Sequence, residues 1–534
     1  MIGLRIIILA YVALFAIFFM FFPSINGYAD TIDMPGDENW DATIGNPGSN
    51  NFVGGITFIN NQIIAGGGFN QIGSKTASIG SWNSGDWGTI NGKSDGTIYS
   101  LVYDNIHQIV YAGGTFTYIE GCSENCKNIA QWDGNEWSSL DGGVNDSIFA
   151  MILDQNGNLY AGGSFTQAGS NAASHIAKWD GYNWSAIGDG VPNDVFALAF
   201  DSNGTLYTGD NKGNLMYWNS KNSSWGTFIT VGGGIFALAF DSFDHFYIGG
   251  SFNDYGNNIV MWDGFYWNYL DSGLIDVVNA LSVDSCDGIY VGTNLGSGFS
   301  PITYWDGTSW QDLGSGISNN SGGYVQTMKF QNGLLAIGGS FDTSGMNITN
   351  NVALWTGADC AKVNDSDVYT LYAYSLPITI TLTSGNGNLS KIKIQRYNTD
   401  HPNATDLLKT GYHWKIEAIN SLGQPADGYS LNLTMTAPFE PDQNDKLCHF
   451  DEVNSSWNCA VSSFDAQNHT LTLNGVSSLS DWAIGDDAGP TSIQLVNFHA
   501  DDWSRVSPFM SGVVLLGIFL FGLVRFLHFH KNND

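Results

Sequence analysis

One stretch decides the fold: residues 159–190 have the sequence LYAGGSFTQAGSNAASHIAKWDGYNWSAIGDG. Together with the apolar run at 149–154, this stretch contains short strand patterns at 159–163, 176–180 and 183–187. Turn residues separate the patterns, among them Asp180-Gly181, a dipeptide that tolerates the positive φ angles of a tight hairpin. No helical periodicity intervenes, so the unit is predicted to fold as four short antiparallel strands.

The same unit recurs along the chain at intervals of about 40–50 residues, a spacing typical of propeller blades. Every copy has a tryptophan in its third strand: Trp82, Trp132, Trp179, Trp218, Trp262, Trp305 and Trp355. Six copies have a second tryptophan in the fourth strand: Trp87, Trp137, Trp184, Trp225, Trp267 and Trp310. We interpret these tryptophans as blade-packing residues rather than as an aromatic binding site.

The seventh copy has no second tryptophan after Trp355. Residues 38–45, ENWDATIG, have the pattern of a fourth strand, with Trp40 at the tryptophan position. A strand donated from the N-terminus would join the first and last blades and cover two open sheet edges. The sequence therefore predicts an all-β fold in which an N-terminal strand closes a seven-bladed β-propeller.

A second domain is predicted after the propeller, which we place at 38–360. Strand patterns without an intervening helix fill residues 361–487, at 369–374, 378–383, 391–396, 412–419, 429–436 and 470–473. A region of this length and pattern is typical of a β-sandwich. Residues 488–507 are polar and rich in turn residues, and they form the predicted linker.

The two ends of the chain predict export and anchoring. Arg5 precedes an apolar run, and Gly27-Tyr28-Ala29 offers a small-residue cleavage site, so residues 1–29 form a predicted signal peptide. An uncleaved membrane anchor is the alternative. Residues 508–527 have the length and apolar character of a single transmembrane helix. Arg525, Lys531 and two histidines lie at the C-terminal end of this stretch and in the predicted cytoplasmic tail at 528–534. They favour a single-pass protein of the cell membrane whose propeller and sandwich face outside.

The charge of the chain excludes one class of partner. Its 534 residues include 18 Lys and Arg against 50 Asp and Glu, which gives a net charge of −32. Nucleic-acid phosphates need basic contacts, so no nucleic-acid partner is expected. An acidic surface is compatible with a solvated extracellular protein.

Cysteine usage agrees with export, because disulfides persist in oxidising compartments. Two pairs are spaced for local disulfides, one within a loop and one across a hairpin: Cys122 with Cys126, and Cys448 with Cys459. A zinc site is the alternative for the first pair, but no histidine or further cysteine lies near it in the sequence. Whether Cys286 pairs with Cys360 stays open at this stage.

The pattern A-G-G-x-F followed by I-A-x-W-D-G-x-x-W resembles kelch-like repeats of the galactose-oxidase central-domain type. Similar repeats form the ectodomain of a membrane-anchored fungal polarity marker. The resemblance covers about residues 40–360 and implies a propeller, although such repeats occur in enzymes and binding scaffolds alike. The stretch SLSDWAIG at 478–485 is similar to the terminal β-sandwich of exported bacterial surface proteins, which implies a bacterial cell-surface protein.

Catalytic patterns are weak. A copper-radical oxidase would need two histidines and a Tyr–Cys pair at the ring axis, whereas the propeller has only His107, His175 and His245, at positions that are not equivalent. No catalytic residue, metal ligand or cofactor is therefore expected. An exported carbohydrate-active or oxidative enzyme is the alternative function, because a sequence does not exclude a carboxylate pair across a cleft.

Binding is the expected function. The loops between the second and third strands vary most between the copies, at 117–127, 166–174, 253–257, 294–300 and 342–350. Variable loops on a rigid scaffold commonly hold ligand contacts, and the alternative is that nothing constrains them. We expect a cell-surface adhesion or recognition protein with an extracellular protein or glycan ligand. A structural envelope component is the other non-catalytic alternative.

Overall fold

The computed structural model describes residues 36–486, except 42, 84, 123–124, 295–299, 320–322, 365, 374–375, 384–386, 406–407 and 409–411. Strands make up nearly all the regular structure of this part of the chain, with one short 3-10 helix at Asp37–Asn39. No helix in these ranges is long and apolar enough to cross a membrane. The predicted signal peptide and transmembrane helix lie outside the described residues.

Six four-stranded antiparallel sheets follow one another along the chain. Sheet I consists of Val53–Ile59, Gln62–Gly67, Ile79–Asn83 and Asp86–Thr89. Sheet II consists of Ile98–Asp104, Ile109–Gly114, Ile129–Trp132 and Trp137–Ser138. Sheet III consists of Ile148–Leu153, Leu159–Gly163, Ile176–Trp179 and Trp184–Ala186. Sheet IV consists of Val195–Phe200, Leu206–Asp210, Asn214–Asn219 and Ser224–Thr230. Sheet V consists of Ile235–Phe240, Phe246–Gly250, Ile259–Trp262 and Trp267–Asn268. Sheet VI consists of Val278–Val283, Ile289–Thr293, Ile302–Trp305 and Trp310–Gln311.

Sheet VII has three strands of its own, Tyr324–Gln331, Leu334–Ser340 and Val352–Thr356. The N-terminal segment lies beside its outer strand, where Trp40 forms a β-bridge with Trp355 and the Asp41 amide donates to the Leu354 carbonyl at 2.9 Å. The predicted extended fourth strand is thus a single bridge. The chain turns just before it because the Asp37 carboxylate accepts hydrogen bonds from the amide and hydroxyl of Ser315 in the preceding loop.

The seven sheets form a closed ring. Each first strand lies against the first strand of the next sheet, and the first strand of sheet VII lies against that of sheet I. The second-strand glycine motif explains how close the sheets come: at seven glycines, a Cβ would lie 2.4–2.9 Å from a β-branched side chain of the next sheet. These glycines are Gly66, Gly113, Gly162, Gly209, Gly249, Gly292 and Gly338. The arrangement is a β-propeller.

The third- and fourth-strand tryptophans of sheets I–VI share one geometry. In sheets I–VI the third-strand tryptophan faces the fourth-strand tryptophan across the hairpin, with ring centroids 5.0–5.6 Å apart. In five of the six sheets the fourth-strand indole also donates to a carbonyl in the segment that precedes its sheet, as Trp137 does to Ile90 and Trp184 does to Leu140. Neighbouring sheets are thereby linked at their outer edges.

Two further sheets follow the ring. Sheet VIII has six strands in the order Asp359–Lys362, Leu389–Tyr397, His413–Asn420, Asp481–Asp486, Asp445–Asp451 and Ser456–Ala460. Sheet IX has five strands in the order Val368–Ala373, Leu376–Leu382, Leu431–Thr436, Thr470–Val476 and Ser463–Asp465. Their facing side chains form one hydrophobic core, which includes Ile394 and Trp414 from sheet VIII and Leu433 from sheet IX. Cys448 and Cys459 are joined by a disulfide across a hairpin of sheet VIII, at the pairing that the sequence predicts.

The propeller has two distinct faces. In an antiparallel sheet, the turns between strands one and two and between strands three and four lie at one end, which we call the turn face. The loops between strands two and three and between successive sheets lie at the other end, which we call the loop face. Short extra strands occur in loops of the loop face: Gln167–Ala168, Asn171–Ala172, Ile317–Ser318, Thr343–Ser344 and Asn347–Ile348.

Sheet VIII is covalently attached to the turn face. A disulfide joins Cys286, in the turn between the first two strands of sheet VI, to Cys360 in the strand Asp359–Lys362. The Ser285 hydroxyl beside it donates to the Asp359 carboxylate at 2.6 Å. Cys360 therefore belongs to a strand of sheet VIII, so this disulfide connects the ring to the sheets that follow it.

Lys362 strengthens the same junction. Its ammonium group lies 3.2 Å from the Asp287 carboxylate and 3.8 Å above the centroid of the Phe243 ring, and it also donates to the Ser242 hydroxyl. Phe243 and Ser242 lie in the first turn of sheet V, whereas Asp287 lies in that of sheet VI. The contacts of sheet VIII thus cover the turn face at sheets V and VI, and the loop face lies on the opposite side.

Candidate binding site at the mouth of the central channel

The first strand of every propeller sheet contains a β-bulge at the same position. In each case, the register with the second strand skips one residue, directly after a buried valine or isoleucine near the start of the strand. A bulged residue lies outside the regular pairing, and its side chain is re-aimed relative to its neighbours. The seven skipped residues, which we call the bulge ring, are Gly54, Tyr99, Phe149, Phe196, Phe236, Asn279 and Gln326.

Aromatic side chains occupy one side of the bulge ring. Phe149 and Phe196 are stacked, with centroids 4.4 Å apart and planes inclined by 9°. Tyr99 lies 5.8 Å from Phe149, and Phe236 lies 5.7 Å from Phe196. Phe52 continues the row from Tyr99 at 6.4 Å. All five side chains are half-buried, so together they present a continuous aromatic surface to solvent.

Side-chain amides occupy the other side. The Asn279 amide nitrogen donates to Asn294 Oδ1 at 2.8 Å and to the Val325 carbonyl at 3.1 Å, which fixes the side chain. Its Oδ1 atom and the whole Gln326 amide have no hydrogen-bond partner among the described residues. An amide both donates and accepts hydrogen bonds. The ring therefore combines an aromatic side with a hydrogen-bonding side.

The bulge ring surrounds a cavity of about 480 Å³ at the loop-face mouth of the central channel. First strands of all seven propeller sheets line it, and its described lining includes no Asp, Glu, Lys, Arg or His. A volume of this size is typical of small-ligand pockets, and the lining combines aromatic and small apolar side chains with accessible polar groups. In a chain with a net charge of −32, an uncharged lining is a distinctive property of this site.

The loops around the mouth are held in place by side chains from the connections between sheets. Asn145 Oδ1 accepts hydrogen bonds from the amides of Thr166 and Gln167, which begin the loop 166–174. Asp95 Oδ1 accepts from Thr117 and Tyr118 in the loop 117–127. The predicted Cys122–Cys126 disulfide closes that same loop. The described parts of these two loops are therefore supported at the rim of the mouth.

A single lysine lies farther along the channel wall. Lys329 follows Gln326 in the first strand of sheet VII, which packs between the first strands of sheets I and VI. Its side chain is nonetheless solvent-exposed. Because neighbouring strands flank it on both sides, we infer that this solvent is the water of the central channel. Desolvation by the surrounding protein lowers its pKa. Among the described residues, no carboxylate lies within ion-pair distance of this ammonium group.

None of the three propeller histidines is among the residues that line the cavity. His107 and His245 are in first-to-second-strand turns, where their Nδ1 atoms lie 2.6 Å from Asp104 and 2.7 Å from Asp241. His175 precedes a third strand and lies 3.4 Å from Asp194. The structure does not bring the three imidazoles together, and the described residues contain no group of three or more His, Cys, Asp or Glu arranged to hold a metal ion.

Sequence reasoning missed the bulge ring. It considered the variable loops as candidates for ligand contacts and interpreted the repeat tryptophans as packing residues. It assigned no role to the aromatic residues at the start of the first strands. A signal was present, because two large residues stand side by side at the start of four first strands: Ile98-Tyr99, Ile148-Phe149, Val195-Phe196 and Ile235-Phe236. Adjacent side chains of a regular strand point to opposite faces, so such a doublet breaks the expected alternation and indicates a bulge.

Comparisons with known proteins were made at the level of sequence and of structure. No protein-family model and no curated protein sequence matches the chain. The chain is similar to a solved structure titled "Crystal structure of RRP9 WD40 repeats", with 12% identity, a TM-score of 0.42, and coverage of 61% of this chain and 99% of that one. It is also similar to one titled "Structure of U3-55K", with 11% identity, a TM-score of 0.41, and coverage of 58% and 96%.

Proposed function

We propose that this protein is a cell-surface recognition protein that binds an extracellular ligand at the loop face of its propeller. The proposal includes a seven-bladed propeller carried on a β-sandwich at 361–487, a signal peptide at 1–29 and a single transmembrane helix at 508–527. The observation that carries it is the bulge ring, which presents an uncharged aromatic and amide surface around an open cavity. Exposed aromatic surface of this kind on a rigid scaffold is typical of binding sites.

The attachment of sheet VIII supports the same function. Because Cys360 and Lys362 are joined to the turn face, the cavity on the loop face stays open on the opposite side of the propeller. The predicted anchor follows the C-terminal sheets in the sequence. An anchored chain of this design would hold its turn face toward the membrane side and its loop face toward partners.

The binding proposal is tested with the purified full-length chain on arrays of glycans and of extracellular matrix proteins. The test variant is Phe196→Ser, at the centre of the aromatic side. The matched control is Phe265→Ser, because Phe265 is 81% exposed in the hairpin turn between the third and fourth strands of sheet V, on the turn face. We expect saturable binding that weakens by about tenfold or more in Phe196→Ser, as for loss of an aromatic anchor, and is unchanged in Phe265→Ser. Equal affinity of both variants, or the absence of any ligand, would contradict the proposal.

The topology is tested separately on intact cells that express the chain with one epitope tag after residue 34 and another at the C-terminus. If the propeller and sandwich face outside, protease added to the medium should remove the N-terminal tag and leave the C-terminal tag intact. Protection of both tags would contradict the surface location.

A further inference from the structure

We infer that the bulge ring binds a neutral sugar, with a pyranose ring held between the aromatic side and the amide side. This inference rests on the proposed function and names the ligand class for the same site. It depends on three properties of the mouth: its lack of charged side chains, the distribution of its aromatic and amide side chains, and the preorganisation of several of them.

The first property is the lack of charge. The described lining of the cavity has no acidic, basic or imidazole side chain. A site that recognised a carboxylate, phosphate or ammonium group would be expected to present an opposite charge or an array of strong donors. Lys329 is the nearest feature of that kind on the same strand, and it lies farther along the channel than Gln326. The mouth itself therefore favours an uncharged ligand.

The second property is the division of the ring into two chemical halves. The aromatic surface extends over the consecutive sheets II–V through Tyr99, Phe149, Phe196 and Phe236, whereas Asn279 and Gln326 follow on sheets VI and VII. A pyranose has the same division, because its C–H groups form apolar faces and its hydroxyls lie around the edge. The aromatic half can cover a sugar face, and amides can donate to and accept from hydroxyls.

The free hydrogen-bonding groups argue against a purely apolar occupant. An aliphatic or aromatic side chain of a protein partner would cover the aromatic half equally well. It would also remove water from Asn279 Oδ1 and from the Gln326 amide without replacing the lost hydrogen bonds. Burying unpaired polar groups is unfavourable, and a site with such groups selects for ligands that pair with them. Hydroxyl groups fulfil that requirement.

The third property is preorganisation. Phe149 and Phe196 are stacked on each other, and each follows a fully buried residue, Ile148 and Val195 respectively. The Asn279 side chain is fixed by its two hydrogen bonds. These three side chains have little freedom left to lose on binding, which matters for a weakly interacting ligand such as a neutral sugar.

The test is a calorimetric titration of the full-length chain with a panel of neutral gluco-, galacto- and manno-configured oligosaccharides and with the matching uronic acids. Phe196→Ser removes aromatic surface, and Gln326→Leu replaces the free amide with an apolar group of similar size. Lys329→Met is the matched control on the same strand. We expect a neutral sugar to bind, its affinity to fall about tenfold or more in each of the first two variants, and Lys329→Met to bind like the wild type.

Other outcomes overturn the inference in distinguishable ways. Binding of uronic acids alone, with loss in Lys329→Met, would show an anion site. If no sugar binds and a protein partner is lost in Phe196→Ser but retained or strengthened in Gln326→Leu, the ligand class is wrong while the proposed recognition function stands. If neither variant changes any binding, both proposals fail. Unchanged thermal unfolding of each variant establishes that the fold is intact.

Discussion

The indole of Trp40 packs against the indole of Trp355 with ring centroids 4.9 Å apart, at the single β-bridge between the N-terminal segment and sheet VII. The Trp40 nitrogen also donates to the Leu313 carbonyl of the preceding connection at 3.0 Å. Five of the six fourth-strand tryptophans elsewhere in the ring make the same two contacts. One residue from the beginning of the described chain thus completes the last sheet.

The first prediction concerns this closure. Trp40→Ala removes a fully packed aromatic side chain and should lower the free energy of unfolding by about 3–5 kcal/mol. Trp40→Phe keeps an aromatic ring but loses the hydrogen bond to Leu313. It should lower the free energy of unfolding by about 1 kcal/mol for the hydrogen bond, with a smaller additional loss of packing. Urea denaturation of the full-length variants measures both. The control is Tyr182→Ala, at a side chain that is 84% exposed. Equal stability of Trp40→Ala and Tyr182→Ala would show that the bridge is not needed for closure.

The second prediction concerns the junction between the propeller and sheet VIII. The disulfide Cys286–Cys360 has a sequence separation of 74, whereas Cys122–Cys126 has a separation of 4. If disulfides act by lowering the entropy of the unfolded chain, replacing the first pair by serines lowers the free energy of unfolding by about 4 kcal/mol. Replacing the second pair lowers it by about half as much. Denaturation midpoints and limited proteolysis between 361 and 368 measure the difference. Equal effects of the two double variants would contradict a special role of the junction.

The third prediction concerns Asp284, which precedes the junction turn and is only 5% exposed. Burial raises its pKa from 3.8 to about 6, although hydrogen bonds from Tyr304 and from the Gly288 and Cys286 amides favour the charged form. Between these pKa values the folded chain holds a proton that the unfolded chain has released. The contribution of this site to the free energy of unfolding is therefore fully present below pH 4 and is lost as the pH rises through about 6. The total loss is up to about 3 kcal/mol.

Asp284→Asn removes that titration. Chemical denaturation between pH 4 and pH 7 should therefore show a smaller decrease of stability with rising pH in the variant than in the wild type. In Tyr304→Phe, the lost 2.8 Å hydrogen bond to the carboxylate should move the decrease to higher pH. Parallel pH profiles of Asp284→Asn and the wild type would rule out a raised pKa.

The structural elements that follow from short local patterns could be predicted from the sequence. Trp132 and Trp137 recur at hairpin spacing, and Gly113 leaves room for Ile148 of the next sheet, so the strands and the propeller follow from a short repeated pattern. Patterns of alternating residues likewise located four of the five strands of sheet IX, but only two of the six strands of sheet VIII.

Pairings between distant segments were harder to predict. The strand Asp359–Lys362 is short, and its partner Leu389–Tyr397 and its disulfide to Cys286 both lie far away in the sequence. The bulge ring depends on the register between two strands, which no single segment encodes. That is why the aromatic residues of the bulge ring, such as Phe149 and Phe196, were not recognised as a candidate site from the sequence.

The most direct test of loop-face recognition is hydrogen exchange of the full-length chain with and without the ligand that binds best in the titrations. The account predicts protection at the bulges beside Phe149, Phe196 and Gln326 and in the loops 117–127 and 166–174. It predicts no change in the turn around Cys286 or in sheets VIII and IX. Protection confined to the turn face or to those two sheets would contradict the account.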